Sequence, residues 1–238
     1  MSDALVIIPT YNEKENIESI IRAIFNQKKA FHILVVDDNS PDGTSEIVIA
    51  LMNEFPKTLF IENRLEKNGL GTAYIHGFYW AIERGYDYII EMDADFSHNP
   101  NDLIQLYNAC VYEGADVSIG SRYSKGVNVV NWPMKRVLLS YFASKYVRLI
   151  TGIPIYDTTA GFVCYKRNVL ETIELDKIKF VGYAFQIEMK FKAWKHKFNI
   201  KEISVIFTDR TQGESKMSGS IVYEALFGVI KMRFNGLK

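Results

Sequence analysis

The sequence has little that would serve covalent catalysis or a soft-metal centre. Its 238 residues include two cysteines and four histidines. Cys110 and Cys164 stand far apart and match no metal-ligand spacing, which fits buried free thiols in a reducing compartment. His32, His76, His98 and His196 form no ligand pattern, although His98 lies beside an acidic pair and could orient it. No Ser/His/Asp or Cys/His nucleophile arrangement is present. Net charge is also lacking, with 28 Lys+Arg against 28 Asp+Glu. That speaks against broad attraction to nucleic acid. No apolar stretch approaches the ~20 residues of a membrane span. The opening "MSDALVIIPTYNE" carries an acid where a signal peptide would be basic. A cytoplasmic protein is therefore expected. Internal repeats, low-complexity tracts and linkers are missing as well.

What is present suits a folded α/β chain able to bury a sizeable core, with 48% hydrophobic and 24% charged residues. Near-continuous apolar runs, "ALVII", "FHILVV", "TLFIEN", "YDYIIEM" and "ADVSIGSR", read as five strands. Helical patterns lie between them. Ile17, Ile20, Ile21, Ile24 and Phe25 fall at helical spacing, and Asn12 with Glu15 reads as a capping box. Gly85 closes the helix over "GLGTAYIHGFYWAIERG", and Pro100 opens another at its first position. This alternation predicts a mostly parallel central sheet with helices on both faces. The second half is less regular. A helix is expected over 134–150, strands at "AGFVCYK" and "IKEISVIFT", a helix around 184–196 and a last helix over 220–234. One domain is expected, a regular half over about 1–122 followed by a C-terminal elaboration over about 123–238.

In a parallel sheet the polar segments Pro9-to-Glu13, Asp37-Asp38, Asp93-to-His98 and Ser121-Arg122 all gather at the carboxyl edge, where open α/β sheets bind ligands. Asp93 and Asp95 are two apart in "MDADFSHNP". In extended backbone they would share a face and repel without a cation between them. Mg²⁺ suits two carboxylates completed by phosphate oxygens and water. The other reading is an acidic turn that caps the helix at Pro100. "GLGTAY" lacks the third glycine of a dinucleotide fingerprint, because Tyr74 stands there and "RLEKN" separates it from its strand. Its glycines instead permit close backbone approach, to neighbouring structure or to a phosphate. Arg122, Arg210 and Lys216 read equally as phosphate contacts or as solvated charge. Arg136 and Ser140 lie one turn apart at the start of the 134–150 helix. They read as a phosphate site with an apolar tail along the helix, or as part of a core helix.

Eight segments occur in order: "VIIPTYNE", "VVDDNSPDGT", "GLGTAYIHG", "MDADFSHNP", "GSRY", "DTTAGFVCYKR", "GYAFQIEM" and "DRTQGESK". Together they resemble the dolichyl-phosphate mannose synthases, a branch of the family 2 glycosyltransferases, from residue 4 to about 230. The resemblance implies a fold of the glycosyltransferase A type. It implies transfer of mannose from GDP-mannose to a polyprenyl phosphate with inversion. Pro9, Tyr11, Glu13, Val36 and Asp38 would contact the nucleoside, and Ala94 would line the site. Asp93 and Asp95, as the DXD motif, would hold Mg²⁺ or Mn²⁺ against the diphosphate. Some relatives have a further Gln ligand where this sequence has Ser97, so the resemblance leaves that role open. Arg122, Arg210 and Lys216 would meet phosphates, and Arg122, Arg136 and Ser140 would receive the acceptor phosphate.

The lipid acceptor implies peripheral contact with the cytoplasmic face of a membrane, through the 134–150 helix or the last helix. A membrane partner subunit is the other route. Three rival readings remain: a UDP-glucose-dependent polyprenyl-phosphate glucosyltransferase, an enzyme using Asp157 or Glu188 as base toward a glycan, and a non-catalytic nucleotide-binding module.

Overall fold

The computed structural model describes residues 2–182, 184–209 and 228–234. The first half alternates as the apolar runs predict. Strands β1 (Ala4–Thr10), β2 (His32–Asp37), β3 (Leu59–Asn63), β4 (Tyr88–Glu91) and β5 (Val117–Ser121) are separated by helices. These are α1 (Ile17–Phe25), α2 (Thr44–Met52), α3 (Leu70–Glu83) and α4 (Leu103–Val111), the last entered through a short 3₁₀ turn over Pro100–Asp102. The second half adds β6 (Val129–Val130), α5 (Met134–Thr151), β7 (Val163–Lys166), α6 (Arg167–Thr172), α7 (Ala184–Lys195), β8 (Ile200–Ser204) and β9 (Phe207–Thr208). A helical segment over 228–234 follows.

One seven-stranded sheet runs in the order β3-β2-β1-β4-β7-β5-β8. All neighbours are parallel except β7, which is antiparallel to both β4 and β5. Strand β1 shows why the runs are apolar throughout. Leu5 and Ile7 enter the core beneath α3 and α7, while Ala4, Val6 and Ile8 enter the core beneath α1, α2 and α4. A strand buried on both faces has no polar side. The glycines of α3 serve this packing. A Cβ on Gly77 would stand 2.8 Å from Ile7, and one on Gly71 would stand 2.7 Å from the Phe185 ring. The "GLGTAY" glycines therefore admit neighbouring structure.

Two helix starts differ from the sequence reading. The Asn12–Glu15 capping box does not form, because Asn12 turns left-handed (φ 56°) and α1 begins only at Ile17. Asn99, rather than an acid, caps the turn at Pro100, accepting the Asn101 N–H. A larger surprise is α5. It buries only Ser144, Val147 and Thr151, so it is not a core helix. Met134, Leu138, Leu139, Phe142 and Leu149 are all exposed. The 228–234 segment instead docks in part on the core through Val229 and Met232. Among the described residues no helix is long and apolar enough to cross a membrane.

Candidate active site

At the ends of β1 and β2 the two neighbouring aspartates divide their work. Asp37 is fully buried and accepts from Thr10 Oγ1 (2.6 Å), Ser40 Oγ (2.6 Å), the Ser40 N–H (2.8 Å) and Ser45 Oγ (2.9 Å). It ties the strand ends and the following loop together. Asp38 pairs instead with Arg64, whose Nε lies 2.8 Å from Oδ1. Burial pushes the Asp38 carboxyl up, against the pull of Arg64. Arg64 also donates to Thr72 Oγ1. Lys67 holds its ammonium 4.3 Å from the centre of the Tyr11 ring. The sequence reading passed over Arg64 and Lys67 as part of a polar stretch. Register could have found Arg64, since Asn63 pairs with Asp37 and sets residue 64 beside Asp38.

Pro9, Tyr11 and Glu13 are half-buried along the same edge. The Glu13 N–H donates to Thr44 Oγ1, and its carboxylate accepts from Asn16. Val36, expected at the nucleoside, and Ala94, expected to line the site, turn their side chains inward. Val36 is fully buried and Ala94 nearly so, each inside a core cluster. Their side chains are spent on packing, and only their main chains remain to meet a ligand.

Strand β4 ends at Glu91. The chain bends from Ala94 onward, and Phe96 adopts a left-handed conformation (φ 58°) that a bulky residue rarely takes. Strand geometry therefore does not set the relation between Asp93 and Asp95. The turn's own hydrogen bonds do. Asp95, 7% exposed, accepts the Ser97 N–H at 3.0 Å. The Asp93 carboxylate, 38% exposed, receives Tyr74 Oη at 3.4 Å. The Asp93 N–H donates to His98 Nδ1 at 3.1 Å. Burial pushes the His98 pKa down to about 4, against the pull of Asp95, so the ring is neutral.

The donor set fits a hard divalent ion. Two carboxylates stand at the strand end, and no group of three or more His, Cys, Asp or Glu among the described residues could hold a metal. Two carboxylates could supply part of a coordination sphere, with phosphate oxygens and water completing it, as in Mg²⁺ and Mn²⁺ sites on nucleotides.

Arg122 follows β5 and is 4% exposed. Its Nε and Nη2 grip Asp157 at 2.7 and 2.6 Å, and Nη2 also reaches Thr159 Oγ1 at 2.8 Å. The rings of Tyr123, Trp132 and Phe207 surround the guanidinium at 5.3–5.5 Å. The solvated-charge reading fails here. Asp157 is likewise no free base. Burial would raise its carboxyl, but Arg122 holds it below the usual range. Glu188, the other candidate base, is buried and accepts the N–H groups of Lys179 and Phe180.

Behind the acidic turn lies a buried polar group that no motif announced. Lys190 on α7 is fully buried and donates to Ala160 O (2.6 Å), Gln186 O (3.1 Å) and Gln186 Oε1 (3.3 Å). Gln186 Nε2 donates to Glu91 at 2.8 Å. Burial draws the Lys190 pKa down to about 8 and raises that of Glu91 to about 8. Helix α7 thereby clamps the end of β4 to the 157–161 loop. The partners lie 95 residues apart, which is why spacing did not reveal them.

The two-stranded sheet β6-β9 carries the 131–136 segment to this edge. Arg136 pairs with Asp209 at 2.6 Å and lies 4.0 Å from the Trp132 ring. Ser140 is half-buried one turn further on. Arg210 and Lys216 lie outside the described residues.

A family model described as "Glycosyl transferase family 2" matches residues 5–174. A polyprenol monophosphomannose synthase of Mycolicibacterium smegmatis is 46% identical, over 98% of this chain and 87% of that protein. An undecaprenyl-phosphate mannosyltransferase of Micrococcus luteus is 42% identical, over 98% of this chain and 97% of that protein. A dolichol-phosphate mannosyltransferase of Pyrococcus furiosus is 36% identical, over 95% of this chain and 62% of that protein. Among solved structures, glucosyl-3-phosphoglycerate synthase from Mycobacterium tuberculosis, with Mn²⁺ and UDP, aligns with a TM-score of 0.70 at 16% identity, covering 97% of this chain and 79% of that one. A mannosyltransferase from Pyrobaculum calidifontis with GDP-Man and Mn²⁺ aligns at 0.63 and 19% identity, covering 90% and 58%. At such identities the likeness concerns fold, and the fold is the α/β arrangement described above.

Proposed function

The chain belongs to glycosyl transferase family 2, and on that premise we propose that it transfers mannose from GDP-mannose to a polyprenyl phosphate. The observation that carries this is the similarity, along nearly the whole chain, to three relatives named for joining mannose to a polyprenol, undecaprenyl or dolichol phosphate. The fold is of the glycosyltransferase A type. We read the chain as one catalytic unit, because the sheet draws strands from both halves.

In the reaction an acceptor phosphate oxygen bonds to the anomeric carbon. The bond from that carbon to the GDP β-phosphate oxygen breaks, and its electron pair leaves with GDP. Attack opposite the leaving group inverts the centre. A phosphate monoester has a second pKa of about 6 and is largely ionised near neutrality. No general base is required of the protein. The occupied state of Asp157 and Glu188 supports a phosphate acceptor over a glycan hydroxyl for the same reason. What remains is alignment and neutralisation of charge on the departing diphosphate.

Asp93 and Asp95 would hold Mg²⁺ or Mn²⁺, which supplies that neutralisation when bound. Pro9, Tyr11, Glu13 and Asp38, with Arg64 and Lys67, line the nucleoside end. Arg122, Arg136 and Ser140 face the acceptor phosphate, and Arg210 and Lys216 are assigned to the donor phosphates. The α5 helix carries Lys135, Arg136, Lys145 and Arg148, no acid and a row of exposed apolar residues. Such a helix suits the surface of an anionic bilayer, where a polyprenyl acceptor resides. We place the protein there, on the cytoplasmic face.

The test is incubation of the purified protein with polyprenyl phosphate, Mg²⁺ or Mn²⁺, and either GDP-mannose or UDP-glucose. A mannolipid is expected from GDP-mannose, lost with EDTA and in Asp95→Ala. A lipid product from UDP-glucose alone would overturn the donor, and none from either would overturn the acceptor.

A further inference from the structure

We propose that His98 is the positioning residue of the acidic turn, its bare Nδ1 taking the Asp93 main-chain N–H and so setting where the Asp93 carboxylate stands. The proposal rests on the reading of Asp93 and Asp95 as the pair that holds the metal. It adds a residue that touches neither metal nor substrate.

The geometry is specific to one ring nitrogen. The left-handed Phe96 folds the chain back, so that a side chain five residues on reaches the Asp93 N–H at 3.1 Å. Because Nδ1 accepts, a neutral ring carries its proton on Nε2. Nε2 lies 3.9 Å from Asp93 Oδ2, so the N–H end of the ring is beside the same residue's carboxylate. One imidazole thus meets both the main chain and the side chain of Asp93.

The ring is held firmly enough to do this. It is 3% exposed. Phe162 stacks on it at 4.9 Å and 11°, and Phe207 meets it edge-on at 5.3 Å and 79°. Outer partners that orient metal ligands in this way typically contribute about 10–100-fold to metal affinity.

A packing role and a positioning role predict opposite orders for two substitutions. Asn carries its Oδ1 on Cγ, where His carries Nδ1, and can accept the Asp93 N–H. Gln fills more of the ring's volume but places its amide oxygen one bond further out. The experiment titrates Mn²⁺ into protein with GDP, reading free Mn²⁺ by electron paramagnetic resonance, for wild type, Asp95→Ala, His98→Asn and His98→Gln. Thermal unfolding without metal is recorded alongside. The expected result is that His98→Gln loses about 10–100-fold in Mn²⁺ affinity and His98→Asn retains most of it. Equal losses, or a tighter His98→Gln, would overturn the proposal. Should neither variant fold, long-range ¹H–¹⁵N spectra of the wild type decide: a proton on Nε2 and a bare, hydrogen-bonded Nδ1 support the role, and a proton on Nδ1 overturns it. Mn²⁺ uptake by wild type and its loss in Asp95→Ala test the metal reading separately. A wild type that takes up no Mn²⁺ would overturn that reading and the positioning role with it.

Discussion

Replacing Arg122 by Met probes the buried pair with Asp157. The substitution removes two hydrogen bonds, at 2.7 and 2.6 Å, from a carboxylate with no solvent exposure. Asp157 keeps the main-chain N–H of residue 122 at 2.9 Å, but loses its counter-charge. Removing one partner of a buried pair typically costs about 3–5 kcal/mol. For a domain of this size that corresponds to a fall in Tm of about 6–20 °C.

The pH dependence carries the sign. Asp157 is held below the usual carboxylate range in the folded protein, Arg122 outweighing burial. Between the folded and unfolded pKa values the unfolded chain binds the extra proton, so stability rises with pH there. The contribution is present above the ordinary value of about 4 and lost as pH falls through the folded value. In Arg122→Met burial is opposed only by the residue-122 main-chain N–H and by Lys190, so Asp157 titrates higher than in wild type and the variant gains relative to wild type in acid.

Urea unfolding at pH 7 and near pH 4 should show a large loss at the former and a smaller one at the latter. The double variant Arg122→Met/Asp157→Leu should recover much of the stability, since apolar replacement of a buried pair is often neutral. A loss below about 1 kcal/mol at pH 7, the value of an exposed pair, or one independent of pH, would refute the reasoning. The stable double variant also separates roles. If it folds but transfers no mannose, Arg122 serves the reaction as well as the fold.

Gly71→Ala would place a methyl 2.7 Å from the Phe185 ring and 3.0 Å from the Phe180 carbonyl, and should cost about 1–3 kcal/mol by overpacking, measured by denaturant unfolding. Lys190→Met takes the 2.6 Å donor from the buried Ala160 carbonyl and should cost about 1–3 kcal/mol, read in the same assay. Leu138→Asp with Phe142→Asp changes side chains that are 48% and 58% exposed. It should leave Tm unchanged while abolishing flotation with anionic phospholipid vesicles, and retained flotation would count against α5 as the membrane face.

The sequence by itself determined the order of strands and helices in the first half and the collection of polar motifs at one sheet edge. Both follow from local physics. A strand buried on two faces must be apolar throughout, and parallel strands joined by helices all end on the same side. What packs against what was decided only by tertiary structure. "AGFVCYK" reads as a strand, but its antiparallel place between β4 and β5 depends on where the intervening α5 sends the chain. The apolar residues of α5 suggest a core helix equally well, because periodicity does not say whether a partner layer exists. Arg122 meets Asp157 35 residues on, and Gln186 meets Glu91 95 residues back. Asp93 and Asp95 were legible as a pair. Their arrangement was not, because it follows from the left-handed Phe96 and from His98 closing the turn. A hydrogen bond between residues distant in sequence, or across a backbone reversal, leaves no spacing to read.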